Sequence, residues 1–521
     1  MHLIHAALAL AALAALSAPA DAQLELCWSD GILGSGVTYD LSGGPGLGYA
    51  LVPSLNGGPT PLALIDPTDP RLLDVGIDLI GFLDVGFLDA TGAATASYPL
   101  PANPALAGFV LYAQAVDFPG AGSFFGDLSN RVELTLASIG DTHPAHNEDA
   151  DARRFAPAAQ LDDESWLIVG GETPGTPPTP LDSAVRFDRK TVSYLPVAAA
   201  LPEPRSRASA TALDDGRVLI AGGYGNAGVL ASTVLYDPAA GTFSAGASMG
   251  SPRVLHTATK LDDGRVFVAG GSTEFTPGHP IGYPLSVTSA VNETTEIYDP
   301  TTDTWTPGPG LAAPVTTAEA ERLSDGRVLI AGGIEAVPGV SPATTARCYL
   351  YDPGGGGLPE TDPLPAPRQH IGIGPLLGGG VLVVGGADID FGTLGTTVHD
   401  DTWIYDEGME SWGAGPDAIQ SVRCGQVICT YSPKGIYILG GGLDSLDLAT
   451  GSAVYSREVY ALDETLSSWT HVGQQTQDRM GGVILDLDDG IHLVGIGSGG
   501  DVGGSDDKSA DVLTVIDPNG C

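Results

Sequence analysis

Positive charge is scarce in this sequence. Its 521 residues include 22 Lys and Arg against 63 Asp and Glu, which gives a formal net charge of -41. Such a surface would repel a phosphate backbone, so we expect no nucleic-acid partner. An acidic surface keeps a protein soluble and can recruit divalent cations, and calcium is therefore the single cofactor that stays a candidate.

Cysteine is also scarce, with Cys27, Cys348, Cys424, Cys429 and Cys521 as the full set. Five cysteines in a chain of this length do not form a disulfide scaffold, and an odd number leaves at least one thiol unpaired within the chain.

Long apolar runs are missing after Met1–Ala22, a run of Ala and Leu that ends in Ala20-Asp21-Ala22. That ending is a typical cleavage signature, so we interpret residues 1–22 as a signal peptide. A membrane anchor is the alternative, but the run is short for a span and is interrupted at Ser17 and Pro19. The expected location is secreted or periplasmic, with no membrane insertion after cleavage.

Catalytic motifs are absent as well. The sequence has no Gly-x-Ser-x-Gly elbow, no Walker-type phosphate loop, and neither Cys-x-x-Cys nor His-Glu-x-x-His. Nucleophilic catalysis and a zinc site therefore have no support in the sequence.

What the sequence does contain is glycine, proline and a long repeat. The 73 Gly and 40 Pro, with 43% hydrophobic residues, indicate many turns around a buried core. The stretch DDGRVLIAGG at Asp214–Gly223 returns at Asp262–Gly271 and at Ser324–Gly333. Looser copies end at Gly171, Gly386 and Gly441, and a degenerate one ends at Gly497.

Each unit predicts a four-stranded β-sheet. Asp-Gly is a tight-turn signal, and the short β-branched run after it is typical of a strand buried on both faces. Downstream of the Gly pair, a strand ends in Tyr-Asp-Pro, and an aromatic follows a turn later in most units, as Phe243, Trp305, Trp412 and Trp469. Unit four has Gly354–Gly357 where this aromatic strand is expected, and the last unit lacks the Gly pair.

The units resemble kelch repeats, whose hallmarks are the Gly pair after an apolar strand, then a Tyr and then a Trp. The first glycines of successive pairs are 48 to 62 residues apart, which fits the kelch period. The resemblance implies an all-β, kelch-type β-propeller over residues 153–521, with seven blades or, alternatively, six. It is similar to the central propeller of galactose oxidase, but no Tyr-His dipeptide for the copper site is present.

The part before the repeats, residues 23–140, predicts short strands at Gly48–Val52, Gly108–Ala113 and Arg131–Ala137. It resembles the small β-sandwich modules of large secreted bacterial proteins. Residues 141–152 form an acidic linker that precedes the first unit, where the outer strand of a preceding blade would lie. We therefore expect the N-terminal side to supply the strand that closes the ring, beside a last strand at Ile516–Pro518.

Arginine recurs at one position of the repeat, eleven residues before the turn. Unit four has Val315 there, and Arg423 misses the position by one residue. These ring arginines, which we expect where one blade leads into the next, are Arg153, Arg205, Arg253, Arg368, Arg423 and Arg479. They either form an anion-binding site, since guanidinium binds carboxylate or sulfate bidentately, or satisfy loop carbonyls as part of the repeat. His256, three residues after Arg253, shares both interpretations.

Loops after some Gly pairs are long, notably Ser272–Val291 and Ala387–Asp401, and their aromatics and carboxylates suit sugars or calcium. Two function classes remain open. One is an exported binding or scaffold protein for a glycan or protein ligand. The other is a carbohydrate-active enzyme, such as an epimerase or mutarotase of an acidic sugar, with Glu319 or Glu321 as acid and base.

Overall fold

The computed structural model forms only β-strands as regular elements over the residues that it describes. In that part of the chain, no helix is long and apolar enough to cross a membrane. The described residues are 24–32, 36–56, 58–62, 71–75, 79, 83–101, 110–118, 128–135, 142–144, 153–162, 165–173, 178–188, 193–275, 290–337, 340–376, 378–416, 427–430, 437–440, 443–447, 452–455, 458–462, 466, 468–474, 483–486, 492–496 and 510–514.

The chain divides into two compact units. One comprises Met1–His143, Asp488–His492 and Thr514–Cys521, and the other comprises Pro144–Leu487 and Leu493–Leu513. The signal peptide predicted at residues 1–22 lies outside the described residues.

The first unit contains two sheets and a short hairpin, with strand orders β1-β2-β7, β6-β3-β8-β9 and β4-β5. The three strands that the sequence predicted here correspond to β3, β8 and β9. The strands are β1 (Glu25–Ile32), β2 (Gly36–Ser42), β3 (Gly48–Ser54), β4 (Thr60–Pro61), β5 (Leu72–Leu73), β6 (Asp84–Phe87), β7 (Ala93–Tyr98), β8 (Val110–Phe118) and β9 (Leu128–Thr135).

Both sheets of this unit contribute side chains to one core. Tyr39 and Leu41 from the first sheet share a buried cluster with Tyr49, Leu51 and Ala113 from the second. A second cluster around Val52, Val116 and Phe118 includes residues of the β4-β5 hairpin. The sheet β6-β3-β8-β9 is therefore buried on both faces along its middle strands.

The remaining strands repeat one design. They are β10 (Thr142–Pro144), β11 (Ala158–Gln160), β12 (Trp166–Val169), β13 (Ala184–Asp188), β14 (Ser193–Pro196), β15 (Ser209–Ala212), β16 (Val218–Ala221), β17 (Tyr224–Gly225), β18 (Gly228–Val229), β19 (Thr233–Asp237), β20 (Thr242–Ala245), β21 (Thr257–Lys260), β22 (Val266–Ala269), β23 (Thr295–Asp299), β24 (Thr304–Pro307), β25 (Val315–Thr316), β26 (Glu319–Arg322), β27 (Val328–Ala331), β28 (Ile334–Glu335), β29 (Ala343–Thr344), β30 (Cys348–Tyr351), β31 (Glu360–Thr361), β32 (Gly372–Pro375), β33 (Val381–Val384), β34 (Ala387–Asp390), β35 (Gly395–Val398), β36 (Thr402–Asp406), β37 (Ser411–Ala414), β38 (Val427–Thr430), β39 (Tyr437–Gly440), β40 (Leu443–Asp447), β41 (Ser452–Tyr455), β42 (Glu458–Leu462), β43 (Trp469–Gln474), β44 (Val483–Asp486), β45 (His492–Ile496) and β46 (Ala510–Thr514).

Six four-stranded antiparallel sheets follow one another along the chain. In order they are sheet 1 (β11-β12-β13-β14), sheet 2 (β15-β16-β19-β20), sheet 3 (β21-β22-β23-β24), sheet 4 (β26-β27-β30-β31), sheet 5 (β32-β33-β36-β37) and sheet 6 (β38-β39-β42-β43). Sheet 7 has the order β10-β46-β45-β44, so its fourth strand, Thr142–Pro144, precedes sheet 1 in sequence. The residues predicted as a last strand, Ile516–Pro518, lie outside the described residues.

The first strands of consecutive sheets, from β11 to β44, lie side by side. Apolar clusters fill the space between neighbouring sheets, as where Leu167 and Val169 of sheet 1 pack with Val218 and Ile220 of sheet 2. The second strands of sheets 2 to 5 are fully buried, as the repeat predicted. This all-β arrangement of four-stranded antiparallel sheets is consistent with a propeller.

The repeated aromatics of the third and fourth strands pair within sheets 2, 3 and 5. Tyr236 lies opposite Phe243, and Tyr298 lies opposite Trp305, with ring centroids 4.8 and 5.1 Å apart. Sheet 4 has no aromatic on its fourth strand, the short β31. Tyr351 instead stacks on Phe267 of sheet 3 at 4.0 Å, and the Gly-rich stretch before β31 forms the turn.

Candidate functional site

The four ring arginines that the structure describes are all buried. Their side chains are 0 to 3% exposed, and each donates from Nη1 to the carbonyl of the first glycine of its own Gly pair. These bonds join Arg153 to Gly170 (2.7 Å), Arg205 to Gly222 (3.1 Å), Arg253 to Gly270 (2.7 Å) and Arg368 to Gly385 (3.0 Å). Arg423 and Arg479 lie outside the described residues.

Each of these guanidinium groups also bonds a residue just before the third strand of its sheet. Arg205 donates to the carbonyl and hydroxyl of Ser232 at 3.1 and 3.2 Å, and Arg253 donates to the same groups of Thr294 at 2.9 and 2.7 Å. Arg368 forms a fork with Asp401 at 2.7 and 3.2 Å. Burial lowers the pKa of Arg205 to about 10, so it stays charged at neutral pH.

The main chain of these arginines joins adjacent sheets. The carbonyl of Arg253 accepts a bond from Gly223 of sheet 2 at 2.8 Å, and that of Arg368 accepts one from Gly333 of sheet 4 at 2.9 Å. Val315 accepts the same bond from Gly271 at 2.9 Å, which explains why sheet 4 forms without an arginine there. The four guanidinium groups thus make the loop contacts that the structural interpretation of the ring expects.

The side chain of His256 has its Nε2 3.1 Å from the hydroxyl of Ser209. Burial, with a smaller contribution from the charge of Arg253, lowers the pKa of His256 to about 3. The imidazole is therefore neutral at physiological pH and adds no charge to the ring.

A second set of side chains comes from two positions after the ring position. In five consecutive sheets this residue has a left-handed backbone, with φ between 48° and 57°. Such angles are costly for residues other than glycine and persist only where the surroundings impose them. The five residues are Phe155, Arg207, Leu255, Thr317 and His370.

Arg207, one of these five, contacts another of them, Phe155. Its guanidinium lies 4.0 Å from the ring centroid of Phe155 and 4.7 Å from that of Phe275, which follows the Gly pair of sheet 3. Its Nη1 is bonded to Oε2 of Glu172, the residue after the Gly pair of sheet 1. Burial first, and then the charge of Arg207, lowers the pKa of His370 to about 4, so this imidazole is neutral at pH 7.

Glu172 joins two arginines in this place. It is 1% exposed, and Arg154 lies 3.6 Å from its Oε1 in addition to the bond from Arg207. We define the Arg207 cluster as Arg154, Phe155, Glu172, Arg207, Phe275 and His370. With His370 neutral, two arginines and one glutamate leave a charge of +1 in a chain of net charge -41.

Two buried polar groups, on residues adjacent in sequence to His370 and Arg207, lack hydrogen-bond partners in the described part of the chain. Gln369 is 0% exposed and accepts a bond from the Thr317 hydroxyl at 3.2 Å, but its Nε2 has no partner. The hydroxyl of Ser206, next to Arg207, is buried and unpaired as well. Unpaired buried donors are unusual and mark a place where a ligand or water is expected.

Comparisons with known proteins add little to this geometry. No protein-family model matches the sequence, and no curated protein matches it significantly. Among solved structures, the chain is similar to one described as "Structure of YjhT", with a TM-score of 0.45 and 16% identity over 62% of this chain and 98% of that chain. A likeness at this level says nothing about function.

Two carboxyl groups lie on the first strand of sheet 4. Glu319 and Glu321 alternate with Ala320, which packs in the core between sheets, so both carboxylates lie on the opposite side of the strand. Desolvation raises the pKa of Glu319 to about 8 and that of Glu321 to about 7. Glu321 accepts a bond from the Arg322 amide at 2.9 Å. Neither carboxylate pairs with a ring arginine in the described residues.

Hairpins after the Gly pairs of sheets 4, 5 and 6 stand next to one another. They are β28-β29, β34-β35 and β40-β41, and the amide of Ile389 donates to the hydroxyl of Thr344 at 3.0 Å between the first two. Of the two long loops named from the sequence, Ala387–Asp401 contains the hairpin β34-β35, whereas residues 276–289 of the other lie outside the described residues. Within the described ranges, no group of three or more His, Cys, Asp or Glu could hold a metal ion.

Sequence reasoning missed the Arg207 cluster, although the repeat contained the necessary signal. Arg207 lies two positions after a ring arginine, and Glu172 directly follows a Gly pair. Comparing the units at those two positions would have shown that their side chains vary while the positions recur. In a repeat protein, a binding site is expected at positions that recur in every unit but carry different side chains.

Proposed function

We propose that this chain is an exported kelch-type β-propeller of seven blades, preceded by a small β-sandwich, that binds a glycan or protein ligand at the Arg207 cluster. The blade number is supported by the seven four-stranded sheets and by the pairing order of sheet 7. The sandwich is supported by the core that the two N-terminal sheets share. Export is supported by the signal-like residues 1–22.

One observation carries the binding proposal: aromatic side chains from sheets 1 and 3 converge on Arg207 of sheet 2. Phe155 comes from sheet 1 and Phe275 from the loop of sheet 3. Half-buried aromatic rings beside a few polar groups are the usual composition of a ligand site. Tyr224, whose ring centroid is 5.0 Å from that of Phe275, extends the aromatic surface.

A glycan-array assay on the purified full chain, with and without calcium, tests this proposal. We expect a defined subset of glycans to bind, and Phe275→Ser to weaken that binding while Phe87→Ser, an exposed position in the first unit, leaves it unchanged. Binding that survives Phe275→Ser would place the site elsewhere, and no glycan binding would turn the search to protein ligands. Export is tested separately by N-terminal sequencing of protein from the periplasm or medium, which should begin at Gln23.

A second candidate function is an enzyme that isomerises an acidic sugar. It is favoured by the carboxyl groups of Glu319 and Glu321, whose raised pKa values allow one to donate and the other to accept a proton near pH 7. Proton NMR of anomer interconversion would detect such an activity. Loss of the activity in Glu319→Gln and Glu321→Gln, with binding retained, would support catalysis.

A further inference from the structure

We propose that the Arg207 cluster holds its ligand through a carboxylate that meets the open edge of the Arg207 guanidinium. This inference rests on the proposed binding function and names the chemical class of the ligand. The ring arginines bond the main chain of their own sheets. The anion-binding residue is instead Arg207, two positions after the ring arginine Arg205.

Two aromatic rings lie against the Arg207 guanidinium. Phe155 and Phe275 come from different sheets and both lie within cation–π distance, at 4.0 and 4.7 Å from the guanidinium carbon. The N–H groups of a guanidinium point outward in its plane, so a ligand that bonds them approaches in that plane.

The edge of the guanidinium is only partly used. Arg207 is 8% exposed and donates from Nη1 to Glu172, while its Nε and Nη2 have no hydrogen-bond partner in the described residues. The four ring arginines differ, since each bonds at least two groups of its own sheet. Nε and Nη2 are therefore free to bond an acceptor of a ligand, and a planar carboxylate matches this fork.

Two further donors belong to residues that are adjacent in sequence to His370 and Arg207. Nε2 of Gln369 and the Ser206 hydroxyl are buried and unpaired in the described part of the chain. Glu172 already neutralises one of the two arginines, so the cluster has a charge of +1. A single carboxylate brings this charge to zero, whereas a dianion would repel Glu172.

The experiment compares three probes by isothermal titration calorimetry on the purified full chain: D-glucuronate, its uncharged amide and inorganic sulfate. We expect glucuronate to bind at least about tenfold more tightly than the amide, and sulfate to compete weakly because it is not planar. Arg207→Lys keeps the charge and a partner for Glu172 but loses the fork. It should weaken glucuronate binding by about tenfold or more and leave the amide unchanged.

Gln369→Leu is a second variant that does not touch the ion pair, and it should weaken glucuronate binding severalfold. Arg217→Lys, an exposed pair with Asp215, is the matched control and should bind as the wild type does. Equal binding of glucuronate and amide, no binding of glucuronate, or unchanged affinity in Arg207→Lys would each overturn the inference. Neutral glycans that bind on the array independently of Arg207 would leave the binding function standing while this inference fails.

Discussion

At the scale of single residues, two kinds of arginine differ in what their guanidinium groups bond. Arg253 makes five bonds from a fully buried position, to Gly270, to two groups of Thr294 and to Glu296 through two nitrogens. Arg207 makes one. The first pattern fixes a loop, whereas the second leaves donors for another molecule, so residue type alone does not separate a structural arginine from a binding one.

Arg253→Met tests the structural pattern. The change leaves the carboxylate of Glu296, with an 8% exposed side chain, buried without its cation. We expect a loss of about 3–5 kcal/mol in the free energy of unfolding. Arg265→Met, which removes an exposed pair with Asp263, should cost about 1 kcal/mol or less. Urea denaturation followed by tryptophan fluorescence measures both, and equal losses would contradict a structural role for Arg253.

Glu319 gives a pH dependence with a definite sign. Its pKa is raised from 4.5 to about 8, so the folded chain keeps a proton that the unfolded chain has lost. Stability therefore falls as pH rises between about 4.5 and 8. Glu321 acts in the same direction up to about pH 7.

Glu319→Gln should flatten this decline, because the amide does not titrate. Melting temperatures measured from pH 5 to pH 9 are expected to fall less steeply in the variant than in the wild type. Glu293→Gln, at an exposed position, is the control and should retain the wild-type slope. A Glu319→Gln profile parallel to that of the wild type would show that this carboxyl is not desolvated.

At the scale of the element, the Gly pair decides how closely two sheets approach. Gly222 has φ of 60°, and a Cβ there would lie 2.5 Å from the carbonyl oxygen of Arg253 in the next sheet. Gly241 has nearly the same φ of 64°, but a Cβ there would meet nothing within 4 Å. The two glycines thus share a backbone conformation, but only Gly222 lacks room for a Cβ.

This pair allows a matched experiment. Gly241→Ala should cost about 1 kcal/mol, which is the cost of a left-handed backbone for alanine. Gly222→Ala adds a collision with a carbonyl that cannot move without breaking its bond from Gly223, so we expect a loss of about 3 kcal/mol or more. The midpoints of urea unfolding measure the difference. Similar losses would mean that the Gly pair is kept for its backbone angles alone.

The sequence predicted elements best where local chemistry decides them. Asp215 accepts a bond from the amide of Arg217 at 3.1 Å, and Gly216 has φ of 82°, so the predicted Asp-Gly turn is confirmed. It was less informative at Glu360–Thr361, a strand that forms without the expected aromatic. There the partner of Tyr351 comes from another sheet, and no local pattern indicates that.

The candidate site was harder to predict from the sequence, because it too depends on contacts between sheets. The arginine spacing identified a ring of residues, but spacing does not tell whether a side chain points to the main chain of its own sheet or to a neighbour. Phe155 and Phe275 are 120 residues apart in the numbering and meet only because sheets 1, 2 and 3 are adjacent. The repeat predicts that neighbouring sheets are adjacent, but it does not predict which of their side chains meet.

At the scale of the whole molecule, every sheet between sheet 1 and sheet 7 packs against the next, so stability depends on both ends of the series. Sheet 7 combines Thr142–Pro144 with three C-terminal strands, and β46 lies between β10 and β45. If this sheet closes a ring, as we propose, then weakening β46 should loosen sheets far from it in sequence.

Val512→Pro, in the middle of β46, tests that closure. Proline removes the backbone N–H of a strand that has neighbours on both sides, whereas Val512→Thr keeps the N–H and the β-branched side chain. We expect the proline variant to lower the urea midpoint sharply and to expose sheets 1 and 6 to protease together, while the threonine variant behaves as the wild type. Cleavage confined to the C-terminal strands, with sheets 1 to 6 as resistant as before, would mean that the series is open and that these sheets are stable without closure.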